Sequence, residues 1–119
     1  MEDYNMPFIN SKVTVKMSPE TKERVKSRLG EAIAIIPGKS ESWLMVGFED
    51  GYDLYFKGNR DKETAFVEVK IFGSASADVY DQMTGAICKI FEEELQIPAD
   101  RIYVKYEEVA NWGWNGNNF

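Results

Sequence analysis

Apolar and polar positions follow a clear period in most segments of this chain, and the period changes from one segment to the next. From Phe8 to Lys16 the residues alternate, with Val13 and Val15 set against Lys12, Thr14 and Lys16, which predicts a strand. Ser18-Pro19-Glu20 reads as a helix start: a capping hydroxyl, a proline at the first helical position and an acid in the first turn. Val25, Leu29, Ala32, Ile33 and Ile36 then fall on one helical face, and Ile36-Pro37-Gly38 ends the helix. Trp43 to Phe48 is a continuous apolar run, which predicts a strand buried on both faces. Glu49-Asp50-Gly51 is a turn, Tyr52 to Phe56 a short strand and Lys57 to Glu63 a polar loop. Ala65 to Phe72 is the clearest strand, with Val67, Val69 and Ile71 on one face and Phe66, Glu68, Lys70 and Phe72 on the other. A second helix runs from about Ala77 to Leu95, its apolar face made by Val79, Met83, Ala86, Ile87, Ile90 and Phe91. Arg101 to Tyr106 is the last long strand, with Ile102, Val104 and Tyr106 opposite Tyr103 and Lys105. The tail, Trp112 to Phe119, is rich in Gly, Asn and aromatics.

The two halves repeat. Each is a strand, a helix, an Ile-Pro break (Ile36-Pro37, then Ile97-Pro98) and a strand ending in acids. This predicts an α+β domain in which two β-α-β units build one four-stranded mixed sheet with both helices on one face. The other face would still present Phe66, Phe72 and the run at Trp43 to Phe48. Another copy of the same chain is the economical cover, so a homo-oligomer is expected.

Composition narrows the chemistry. A net charge of −6 argues against nucleic acid or an anionic membrane surface as the main partner. Glu92-Glu93-Glu94 and Glu107-Glu108 read as solvated faces rather than metal sites. With one cysteine, Cys88, and no histidine, the chain has no internal disulfide and lacks the usual zinc ligands. It also lacks the base for Ser-His or Cys-His catalysis. No metal or cofactor is expected. Residues 1–6 carry two acids and no apolar run, unlike a signal peptide, and no stretch reaches the length of a membrane span. The expected location is the cytoplasm, with leaderless secretion left open.

Met6-Pro7 is the junction where chemistry could reside. If translation began at Met6 and that methionine were trimmed, Pro7 would be a secondary amine at the mouth of a domain spanning 7–119. With an extension over 1–6 in place, the Pro7 nitrogen is a tertiary amide whose lone pair is delocalised. By the residues alone, Pro7 equally suits the start of an edge strand, and Lys39 suits a helix end.

The segments Pro7-Phe8-Ile9, Gly38-Lys39, Ala65 to Gly73, Pro98 to Val104, and Gly113-Trp114-Asn115 with Phe119 resemble the macrophage migration inhibitory factor and D-dopachrome tautomerase family. The resemblance runs from Pro7 to Phe119 in order. It implies a homotrimer in which an amino-terminal proline catalyses keto–enol tautomerisation of small aromatic keto or enol acids such as phenylpyruvate or dopachrome. Pro7 would be the general base and Lys39 would hold the substrate carboxylate and the developing enolate charge. The resemblance places Tyr103 of a neighbouring subunit beside the proline. It makes Phe8, Trp43, Phe72, Lys105, Trp112 and Phe119 further pocket residues; by composition the aromatics serve equally as core or interface.

Four positions depart from the family pattern. Thr64 and Val67 stand where vertebrate members carry Cys-x-x-Cys, so a dithiol redox activity is not expected. Lys105 replaces a common asparagine and Trp112 a smaller apolar residue, which predicts a narrower and more cationic pocket. Cys88 reads as packing rather than a nucleophile. The alternative function is a non-catalytic, cytokine-like binding protein that keeps the trimer, has a protein receptor as partner and has its Pro7 blocked.

Overall fold

The structure, a computed structural model, describes residues 6–119. Apart from Met6, the extension read over residues 1–6 lies outside the described residues. Four strands form one sheet: β1 (Pro7–Val13), β2 (Met45–Glu49), β3 (Ala65–Phe72) and β4 (Ile102–Val109). Their order is β2-β1-β3-β4. β1 runs parallel to β2 and antiparallel to β3, and β3 runs parallel to β4. Two helices, α1 (Pro19–Ala32) and α2 (Ala77–Leu95), complete the α+β domain expected from the repeat.

The helix signals act as chemistry requires. Ser18 Oγ accepts the Thr21 N–H at 3.1 Å and Ser76 Oγ accepts the Val79 N–H at 3.2 Å, each satisfying an orphan donor of a first turn. Val25, Leu29, Ile33 and Ile36 from the first helical face are fully buried, as are Met83, Ile87 and Phe91 from the second. They meet Ile9, Val13, Val67, Val69 and Ile71 of the sheet in a single core. Because buried and half-buried residues alternate along β1 and β3, one sheet face makes that core.

Four expectations are corrected. The first strand ends at Val13, not Lys16, because Val13 and Val15 turn their carbonyls to the N–H groups of Tyr52 and Gly51. The Tyr52 bond and the Phe56–Asn59 bridge are the backbone pairings of the Tyr52 to Phe56 segment, which therefore forms no regular strand among the described residues. β2 is an edge strand: Leu44, Val46 and Phe48 are half-buried against the core while Met45 is 72% exposed, so the run is not buried on both faces within one copy. The last strand runs past Tyr106 to Val109, since Glu107, Glu108 and Val109 continue the pairing with Lys70, Ile71 and Phe72. Glu108 then accepts from Tyr80 Oη at 2.6 Å and from the Ala75 N–H at 3.4 Å. Burial, reinforced by that carboxylate, pushes the Tyr80 hydroxyl up to about 12.

The sheet face away from the helices is polar in its middle. Lys12 Nζ lies 3.2 Å from Glu68 and 3.6 Å from Glu49, and Asn10 donates to Glu49 at 2.8 Å. The Lys12 ammonium holds the Glu68 carboxyl below its ordinary range. Lys70 sits 3.9 Å from Glu107 and over the Phe8 ring. Phe66 and Phe72 are at opposite ends of β3, so the apolar surface needing cover lies at the ends of this face and not across it.

Two stability outcomes follow from this packing. Ser11 Oγ is fully buried on the core side of β1 and has no hydrogen-bond partner among the described residues. Because an unsatisfied buried hydroxyl costs about 1–3 kcal/mol, Ser11→Ala should leave urea-unfolding stability unchanged or raise it by about 1 kcal/mol. A loss of that size would show a partner for the hydroxyl. Asp50 accepts the Met17 N–H at 2.9 Å and faces Lys22 at 3.7 Å, which lowers its carboxyl pKa. That stabilisation is present above the unfolded value of about 3.9 and is lost as pH falls through the lower folded value. Asp50→Asn should therefore lower Tm at pH 7 and flatten the fall in Tm below about pH 5.

Candidate active site

The amino end of β1 is held by the opposite end of β3. Pro7 is buried, pairs in register with Ile71, and has its nitrogen in the peptide bond with Met6. Met6 is itself only 4% exposed, and its carbonyl accepts the Phe72 N–H at 3.2 Å. Proline has no N–H to give to the ladder, so the Met6 carbonyl supplies the next sheet bond.

Lys39 reaches the same residue from another element. Gly38 adopts a φ of +82° after the first helix, and the Lys39 N–H closes the turn on the Ile36 carbonyl at 3.0 Å. The side chain then turns inward, 6% exposed, and Nζ donates to the Phe72 carbonyl at 2.9 Å. Phe72 thus bonds Met6 through its N–H and Lys39 through its C=O. The helix-end role considered for Lys39 does not describe this geometry, because its ammonium bonds the end of β3.

In front of this junction is a cleft of about 360 Å³, lined chiefly by Pro7, Phe8, Trp43, Met45, Trp112 and Trp114. Of the sequence-selected residues, Pro7, Phe8, Trp43 and Trp112 line it directly. Lys39, Phe72 and Phe119 are not in the lining; Lys39 and Phe119 each contact Phe72. Trp43 meets Trp114 edge-on at 5.1 Å, Trp114 stacks on Phe119 at 6.3 Å, and Phe119 lies 5.6 Å from Phe72. The sequence reading quoted Trp114 in a motif but did not select it as a pocket residue. It sits on a hairpin that the reading missed, β5 (Gly113–Trp114) and β6 (Asn117–Asn118). The signal was Asn115-Gly116, whose positive φ values of 53° and 87° suit a two-residue hairpin turn.

Tyr103 and Lys105 are elsewhere. Tyr103 pairs with Phe66 and Pro7 with Ile71, so the two lie five residues apart along β3, about 17 Å at the strand rise. Tyr103 is 58% exposed and packs edge-on against Phe56 at 5.2 Å and Phe66 at 6.3 Å. Lys105 is exposed opposite Glu68. Tyr103 also walls a second cavity, of about 180 Å³, with Tyr55, Phe56, Phe66 and Arg101. One copy therefore carries two separate clusters, at opposite ends of the sheet.

Among the described residues no group of His, Cys, Asp and Glu is arranged to hold a metal ion. No helix of the described residues is long and apolar enough to cross a membrane. Cys88 is half-buried against the core, and burial pushes its thiol up. Alkylation by iodoacetamide at pH 7.5 should be slower than for free cysteine, and the protein should not reduce insulin disulfides. Disulfide reduction that survives Cys88→Ser would contradict this.

The chain is 27% identical over 118 residues to macrophage migration inhibitory factor of Meriones unguiculatus, covering 96% of this chain and 97% of that one. Its fold is similar to that of Leishmania major MIF2, with a TM-score of 0.88 at 32% identity over 96% of this chain and 97% of that one. It is also similar to the macrophage migration inhibitory factor homologue of Prochlorococcus marinus, with a TM-score of 0.79 at 32% identity over 94% and 98% of the two chains. The family model for macrophage migration inhibitory factor matches residues 6–119. With that match across nearly the whole chain, the protein belongs to the macrophage migration inhibitory factor family.

Proposed function

We propose that this protein is a tautomerase of small aromatic 2-oxo acids, with Pro7 as general base when it is the amino-terminal residue. The observation that carries the reading is the end of β3, where Ile71 pairs with Pro7 and the next residue, Phe72, holds the Lys39 ammonium on its carbonyl, close to the aromatic-walled cleft that Pro7 lines. An α-amino group has an ordinary pKa of about 7.7–8.0. Burial and a neighbouring ammonium both disfavour its charged form, so a free Pro7 amine would be neutral at pH 7. It would remove the proton α to the carbonyl, and delivery of a proton to the enolate oxygen would complete the enol, while Lys39 holds the carboxylate and favours the enolate.

The reading includes a homotrimer. Tyr103 is about 17 Å along the sheet from the Pro7 register, so in one copy it cannot reach the cleft. A head-to-tail ring would bring Tyr103 and Lys105 of one copy to the Pro7 end of the next, and such interfaces form a closed ring when the rotation between copies closes. The exposed Met45 on the unpaired edge of β2 and the aromatic cavity beside Tyr103 are apolar surfaces suited to that contact.

A second reading rests on Met6. Its carbonyl is part of the sheet and its side chain is buried, so a chain that keeps Met6 has a continuous, acylated β1. That form would keep the trimer and bind a protein receptor without catalysis.

Phenylpyruvate tautomerisation separates the two. A form beginning at Pro7 should be active, and a form keeping the residues before Pro7 should be slower by about 10²- to 10⁴-fold. In the short form, Pro7→Gly keeps a primary amine and should lose part of the rate, and Lys39→Ala should mainly raise KM. Equal activity of long and short forms, with termini verified by intact mass, would remove Pro7 from the base role. Light scattering at micromolar concentration should give about three times the 13.6 kDa chain mass. A clean monomer would overturn the shared site.

A further inference from the structure

Arg101 is buried, 7% exposed, yet among the described residues no carboxylate lies within ion-pair distance of it. A buried guanidinium without a counter-ion is costly unless its N–H groups are bonded. Here they are bonded to neutral oxygens of one loop. Nε donates to Thr64 Oγ1 at 3.0 Å and Nη2 to the Lys62 carbonyl at 3.1 Å. Nη1 reaches the Phe56 carbonyl and Asn59 Oδ1, both at 3.5 Å. The guanidinium also sits over the Phe56 ring, 5.2 Å from its centre.

Those contacts fix the small turn at Phe56–Asn59, whose Lys57 and Gly58 both have positive φ. They also fix the Phe56 ring, which meets Tyr103 edge-on at 5.2 Å. Phe66 supplies the other ring against Tyr103. A tyrosine that is 58% exposed has few other restraints, so these two rings select its rotamer.

We propose that Arg101 is the positioning residue for Tyr103, acting through Phe56. The claim rests on the tautomerase reading for its use, since Tyr103 is the residue one copy lends to the site of the next. Lysine cannot replace Arg101 here, because a single ammonium lacks the planar fork that bonds three stretches of the loop and lies flat on a ring. The buried charge is therefore a loop clamp whose aromatic face is handed on to Tyr103.

The test uses the full chain labelled with 3-fluorotyrosine, with the Tyr103 fluorine resonance assigned by its loss in Tyr103→Phe. Arg101→Lys should shift or broaden that resonance. Phe56→Leu, which keeps every bond Arg101 makes to the loop, should do the same. If Arg101→Lys leaves the Tyr103 signal unmoved while remaining folded by circular dichroism, the proposal is wrong. Should Arg101→Lys fail to fold, Thr64→Val, which removes the oxygen that accepts from Arg101 Nε and leaves the Phe56 ring in place, decides instead. In the form beginning at Pro7, Arg101→Lys should raise KM for phenylpyruvate about three- to tenfold and add little in a Tyr103→Ala background. Full additivity of the two substitutions would show that Arg101 does not act through Tyr103. If no form tautomerises phenylpyruvate, the tautomerase reading fails, and the fluorine signals still decide whether Arg101 sets Tyr103.

Discussion

The main chain of Phe72 is the constraint on which this site depends. It ends the central antiparallel pairing by giving its N–H to the Met6 carbonyl, and its carbonyl accepts the Lys39 ammonium. Its ring meets Phe119, which stacks on Trp114. One residue at the end of β3 therefore gathers the start of β1, the loop after α1 and the C-terminal hairpin. None of these segments is near the others in sequence. The arrangement needs the sheet order β2-β1-β3-β4, because only a β1 placed beside β3 brings residue 7 to the level of residue 71. The core enforces that order: Ile9 and Val13 must face the same helices as Val67, Val69 and Ile71, and a register slip of one residue would turn them outward.

The same register separates the two clusters. β4 runs parallel to β3, so Tyr103 falls at the start of β3, and Pro7 faces its end. Between them the open face is a row of ion pairs, Lys12 with Glu49 and Glu68, then Lys70 with Glu107. Half-exposed pairs of this kind contribute little stability individually. Their effect is to keep the middle of the sheet hydrated while the aromatic ends remain apolar.

Much of the fold was readable in the residues. Ser18-Pro19-Glu20 marks the start of α1 because cap, proline and acid each satisfy a separate property of a helix terminus. The alternation of Ala65 to Phe72 fixes β3 to its ends because a two-sided strand must obey the pleat. The failures have physical causes. An apolar run cannot say whether its outward face is covered by its own chain or by something else, so Trp43 to Phe48 was read as buried though Met45 is exposed. The site was readable in part. Pro7, Phe8, Trp43 and Trp112 do meet at one cleft. The link from Lys39 to Phe72 and the role of Trp114 depend on tertiary contacts that no local pattern encodes. Arg101 carries no sequence signal beyond its motif, since its burial without a carboxylate is visible only once the loop at Phe56–Lys62 closes on it.

The central claim is that the cleft depresses the pKa of a free Pro7 amine enough to make it a base at neutral pH. The most direct measurement is a pH titration of the Pro7 nitrogen by ¹⁵N NMR in protein that begins at Pro7. The account predicts a midpoint below the ordinary α-amino value of about 7.7, moving upward toward that value in Lys39→Ala as the neighbouring ammonium is removed. A midpoint at or above the ordinary value, unchanged in Lys39→Ala, would contradict it.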